Sequence, residues 1–79
     1  MASYMQFKRI KIVQSIERLH NSKDGNPRFE FTFSNGESMK TAANVMWAFA
    51  IVPDRLIGRP IAATFHYTPS GYAVLDGVA

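Results

Sequence analysis

The chain has 79 residues, nine Lys and Arg against six Asp and Glu, no cysteine, and 47% hydrophobic residues. That length holds one domain and not two, and the missing thiol excludes disulfides, thiolate zinc sites, iron–sulfur clusters and a cysteine nucleophile. The net charge of +3 allows a nucleic-acid partner without demanding one, and no stretch approaches the roughly 20 apolar residues of a membrane helix.

Residues 1–5 read as a flexible tail without the apolar run of a secretory leader, so the expected setting is the cytoplasm. A long first strand is expected over residues 6–20. Ile10 and Ile12 alternate around Lys11, as on a half-buried strand, and are expected to face inward. The phase then slips at Val13, with Ile16 and Leu19 following at spacing three, and a bulge near Gln14-Ser15 restores it. Ile12, Ile16 and Leu19 also fit a helical face. The β-branched residues Ile10, Ile12, Val13 and Ile16 favour the strand.

Residues 21–27 form a loop, with Asp24-Gly25 supplying a positive φ and Pro27 unable to donate to a ladder. In the second strand Phe29, Phe31 and Phe33 point one way and Arg28, Glu30 and Thr32 the other. Asn35-Gly36 is a strong short hairpin signal, and the third strand returns over residues 37–41. Asn44 is placed to cap a helix over about 44–52, ended by Pro53 and the polar Asp54-Arg55, with a second break at Gly58-Arg59-Pro60. The fourth strand, 61–68, puts Ile61, Ala63, Phe65 and Tyr67 on one face. Pro69-Ser70-Gly71 turns the chain into a fifth strand over 72–75. The order β-β-β-α-β-β with a bent first strand predicts a mainly β fold, a small five-stranded OB-like or SH3-like barrel with one short helix.

No set of side chains matches a catalytic pattern. His20 and His66 show no partner at metal-ligand spacing and read as surface histidines. Of the acids, Asp24, Glu37, Asp54 and Asp76 sit beside turns or breaks, and no two carboxylates are spaced as an acid/base pair. Gly-x-Ser-x-Gly and Gly-rich phosphate loops are absent. The chain therefore reads as a non-enzyme with no cofactor and no metal.

Two contact surfaces compete. The segment from Val45 to Val52 has no polar face, whereas a surface helix should carry one. An α-helical period puts Val45, Ala48, Phe49 and Val52 on one stripe, facing the barrel. Either the whole segment plugs one end of the barrel, or Met46, Trp47, Ala50 and Ile51 remain as an apolar surface for a host protein or a second copy of the chain, a homodimer being one outcome. The other candidate is a nucleic-acid surface built from Lys8, Arg9, Lys11 and Arg28, with Tyr67 and Tyr72 beside the 69–71 turn as stacking groups.

The run Asn26-Pro27-Arg28-Phe29-Glu30-Phe31-Thr32-Phe33-Ser34-Asn35-Gly36, with residues 42–51 and Gly58-Arg59-Pro60 after it, resembles small bacteriophage-encoded proteins, particularly those of actinobacterial phages. The likeness spans roughly residues 9–75 and rests on strand, hairpin turn and helix. It implies a phage accessory protein that binds a host component inside a bacterium, and it carries over no site residue.

Overall fold

The computed structural model describes residues 5–43 and 45–79. Residues 1–4 of the tail expected over 1–5, and the expected cap at Asn44, lie outside the described residues. Five strands make a closed barrel: β1 (Phe7–Arg18), β2 (Phe29–Phe33), β3 (Ser38–Thr41), β4 (Pro60–Tyr67) and β5 (Ala73–Val78), joined around the circumference in the order β1-β2-β3-β5-β4. All neighbours are antiparallel except β3 and β5, which run parallel through Lys40↔Val74 and Thr41↔Leu75. Among the described residues each strand has a neighbour on both sides, which removes the unpaired edge that invites strand addition and aggregation.

β1 is long because it serves two neighbours. Its first half pairs with β4 from Phe7↔Phe65 to Ile12↔Pro60, and its second half pairs with β2 from Val13↔Phe33 to Arg18↔Phe29. The register shifts between Val13 and Ser15, so Gln14 is the extra residue of a bulge. That residue lets Val13 and Ile16, three apart in sequence, both turn toward the interior.

The phase of the first half is the reverse of the expected one. Val13 is fully buried and sets the inward parity, so Ile10 and Ile12 stand outward at 71% and 49% exposure. Lys11 takes the inward position. Its ammonium lies 2.5 Å from Glu37 Oε1 and over the rings of Phe33 and Phe65, with only 11% of the side chain exposed. The hydrogen bond from Lys11, and secondarily that from Asn35, holds the Glu37 carboxyl below its ordinary range. The alkyl stem packs while the charge stays satisfied.

The interior is built from alternation. Phe29, Phe31 and Phe33 of β2, Met39 of β3, Ile61, Ala63 and Phe65 of β4 and Leu75 of β5 are all buried, as period-2 patterning requires. Thr41 is the one buried polar residue among those described, and its hydroxyl accepts the Phe29 N–H at 3.1 Å. Asn35-Gly36 does form the hairpin, with the Phe33 carbonyl accepting from Gly36 N at 2.9 Å and Gly36 at φ 90. The centre of the turn is therefore Ser34-Asn35, and Gly36 is the left-handed residue after it, a three-residue connection in place of the two-residue one. β5 runs past its expected end at Leu75, because Asp76 is accommodated as an irregularity opposite Thr64 and Phe65 while pairing resumes at Gly77.

The single α-helix expected over 44–52 is replaced by two short pieces: a 3-10 segment, Met46–Ala50, and the helix α1, Pro53–Leu56. Pro53 starts α1 where it was expected only to stop a helix; its fixed φ and missing N–H suit a first helical turn.

Candidate functional site

The 3-10 period changes which side chains of this segment meet the barrel. At three residues per turn, positions i, i+3 and i+6 eclipse. Val45, Ala48 and Ile51 therefore share the inward face and pack on the core. Met46, Phe49 and Val52 share an outward face and are 78%, 59% and 46% exposed. The expected inward stripe is thus corrected at Phe49 and Val52. Of the expected interface residues, Met46 and Ala50 are exposed, whereas Trp47 and Ile51 are half-buried against the core. Trp47 is also tied in place, its Nε1–H donating to the Asp76 carbonyl at 2.8 Å. Trp47, Ala50 and Ile51 line a shallow depression of about 270 Å³ with Val52, Arg55, Leu56 and Val78.

The expected basic surface is not one surface. Lys11 is committed to Glu37. Lys8 and Arg9 lie on the half of β1 paired to β4, and the Arg9 guanidinium turns back onto the Lys8 carbonyl at 2.9 Å and toward the Phe7 ring. Tyr67 packs edge-on against Phe7 and Phe65. Arg28 and Tyr72 do come together, on the opposite part of the barrel.

They meet in a groove that crosses the outer faces of β2, β3 and β5. One lobe, about 500 Å³, is lined by Arg28, Glu30, Ser38, Lys40, Tyr72 and Val74. The other, about 490 Å³, continues toward β1 between Glu17, Arg18, His20, Asn21, Arg28 and Lys40. Arg28 and Lys40 line both lobes, so the two open depressions adjoin at these side chains, the waist between them. Their outward direction follows from the strand alternation that buries Phe29, Phe31 and Met39.

Each groove side chain has a local reason for its position. The Arg28 guanidinium donates to the Thr41 carbonyl at 3.0 Å, bracing it across to β3. Arg18 donates to the Arg28 carbonyl at 3.2 Å and to the Asn21 side chain, which fixes the start of the 19–28 loop at one rim. At the other rim the 68–72 turn is closed by Thr68 N to Tyr72 O at 2.8 Å and Tyr72 N to Thr68 Oγ1 at 3.1 Å. Tyr72 is 73% exposed on that turn. Glu30 and Lys40 face each other directly across the β2–β3 ladder, yet neither head group makes a hydrogen bond or ion pair among the described residues.

Arg18, His20, Asn21, Glu30 and Lys40 were not singled out as groove residues by the sequence. The alternation in β2 and β3 marks Arg28, Glu30 and Lys40 as outward, but only the barrel order brings the 19–28 loop and the 68–72 turn to the two ends of those strands.

A second polar arrangement lies away from the groove. His66 Nδ1 and Asp76 Oδ2 are 2.6 Å apart, each side chain 15% exposed, and Gln6 donates to the same carboxylate oxygen at 3.2 Å. His66 is thus a partnered residue rather than the free surface histidine expected, the pairing made by the irregularity that aims Asp76 at β4. No cavity described is lined by this pair, and no group of three or more metal-ligating side chains occurs among the described residues. No helix among the described residues is long and apolar enough to cross a membrane.

In comparison with known proteins, the chain matches no family model, no curated protein and no solved structure.

Proposed function

We propose that the protein is a non-catalytic binding module that holds single-stranded nucleic acid in the β2–β3–β5 groove. The observation that carries this reading is the groove with Arg28 and Lys40 at its waist, Arg18 at one end and the exposed Tyr72 at the other. A single strand is bound by such a pairing of cations that track the phosphates with an aromatic face that stacks a base. Base readout in duplex DNA uses an α-helix or β-ribbon set into the major groove, and the only helical pieces among the described residues are short and mostly apolar. The strand order, with β1 shared between both halves and a helical segment between β3 and β4, supports OB-like over SH3-like closure. OB folds use the strand 2–3 face and the β1–β2 and β4–β5 loops for oligonucleotides and oligosaccharides, an analogy of fold that adds to the local chemistry without replacing it. A phage accessory role inside a bacterial host is consistent with such binding.

Three cations against the carboxylates of Glu17 and Glu30 make the channel only mildly positive. The expected affinity is therefore modest, in the range of about 10⁻⁴–10⁻⁶ M at physiological salt, with a log–log salt slope near −2 for three phosphate contacts. Fluorescence anisotropy with a labelled single strand tests this. Lys40→Gln should weaken binding several-fold and make the slope shallower, and Tyr72→Ala should weaken binding roughly tenfold at constant slope. Both residues are exposed, so the fold should persist. Absence of binding at low salt would discard the reading.

A second reading, self-association, is favoured by the Met46, Phe49 and Val52 stripe, three apolar side chains on one outward face. Contiguous exposed apolar surface marks contact sites. Static light scattering should then give a mass above the 8.9 kDa of one chain for the wild type and a single-chain mass for Phe49→Glu. A single-chain mass for the wild type at high concentration rejects it.

A further inference from the structure

The groove contains a charge that a simple phosphate channel would not hold. Glu30, the second residue of β2, lines the groove beside Arg28 and opposite Lys40, half-buried, and its carboxylate is unpartnered among the described residues. A carboxylate repels phosphate, so its place at the waist weakens general binding to any strand. It is an acceptor only, with two oxygens able to take two parallel donors. Lys40, directly opposite on β3, offers donors within the span of one base, since paired side chains across a ladder start about 5 Å apart.

The Watson–Crick edges of the four bases can be tested against that pair. Guanine presents two adjacent N–H donors, N1 and N2, beside the O6 acceptor. Its donors match the carboxylate and its O6 matches the Lys40 ammonium, which at that base turns from phosphate to the base edge and leaves Arg18 and Arg28 to the backbone. Cytosine offers one donor, adenine one donor and no carbonyl, and thymine a single N–H between two carbonyls that would face the carboxylate. Unstacked bases of single strands are read on these edges. We infer that the unpaired Glu30–Lys40 pair across the β2–β3 ladder makes the groove selective for guanine in a single strand, with Tyr72 available to stack that base or its neighbour. The inference rests on the groove being the nucleic-acid site proposed above.

The test uses three labelled strands of roughly nine nucleotides, within the range one such barrel covers: oligothymidylate, the same strand with one central guanine, and the same strand with hypoxanthine in its place, which lacks the N2 amino group. The wild type should bind the guanine strand roughly tenfold more tightly than oligothymidylate, the size expected for one good bidentate pair, with the hypoxanthine strand between them. Glu30→Gln removes the repulsive charge and the strong acceptor together. It should bind oligothymidylate more tightly than the wild type does while losing most of the guanine preference. Trp47 fluorescence reports whether the variant remains folded. Equal wild-type affinity for all three strands overturns the guanine assignment and leaves the groove reading intact. A preference that survives in folded Glu30→Gln overturns the role of Glu30. No binding of any strand at low salt removes the groove reading and this inference with it.

Discussion

Phe31→Ala is expected to leave the domain close to unfolded at room temperature. Phe31 is fully buried in the middle of β2, tilted against Phe33 at 6.2 Å between ring centres, and it pairs with Ile16 on one side and Met39 on the other. Truncating a buried phenylalanine removes its transfer free energy and leaves a cavity, a loss of about 3–5 kcal/mol. At roughly 0.05–0.15 kcal/mol per residue, a chain of this size has about 4–12 kcal/mol in total. Urea titration followed by circular dichroism should show the midpoint collapse, and a thermal midpoint more than about 12 °C lower. Phe31→Leu, which keeps most of the volume, should retain the fold. A Phe31→Ala domain within about 1 kcal/mol of the wild type would mean that the barrel interior is not packed as described.

Trp47→Ala is expected to be the next most damaging change, and for a reason opposite to that of an exposed contact residue. The indole lies against the core and its N–H closes a hydrogen bond to the Asp76 carbonyl, tying the segment between β3 and β4 to β5. Loss of the packing and of that bond together should remove about 3 kcal/mol. Trp47→Phe should recover most of the packing and forfeit only the hydrogen bond, about 1 kcal/mol. Chemical denaturation separates the two variants. If Trp47→Ala unfolds at the wild-type midpoint, Trp47 is a surface residue after all. Phe49→Glu on the neighbouring face should leave stability nearly unchanged, so the two positions distinguish a structural tryptophan from an exposed phenylalanine.

What could be read from the chain was whatever depends on neighbours in sequence. Phe29, Phe31 and Phe33 announce their strand and its buried face because period 2 needs no knowledge of the partner. Asn35-Gly36 announces the hairpin, and the broken phase after Val13 announces the bulge at Gln14. Ile10 and Ile12 misled because hydrophobicity alone set the expected phase of β1, whereas the inward slot between them is filled by a lysine that finds Glu37 on the adjoining β2–β3 hairpin. Residues 45–52 misled through the choice of period: an α-helical wheel groups Ala48 with Phe49 and Val52, and the 3-10 turn separates them. The groove was hidden for a different reason. Arg18, Arg28, Lys40 and Tyr72 come from different parts of the chain, and only the circular order β1-β2-β3-β5-β4 makes them neighbours.

That order also has a weak link. The parallel junction of β3 with β5 is the shortest in the barrel, with two residue pairs, Lys40↔Val74 and Thr41↔Leu75, and Ala42 N donating to the Leu75 carbonyl at 2.9 Å, and Lys40 and Val74 both line the groove floor. Whatever lies along that floor straddles the seam, like a suture over a short incision. If the groove is the binding site proposed above, an occupant that binds only the shut form would hold the wall closed in proportion to its concentration, so occupancy and opening of the wall would be linked by mass action. Amide hydrogens at the seam would then exchange more slowly when the groove is filled, even though no part of the backbone needs to move.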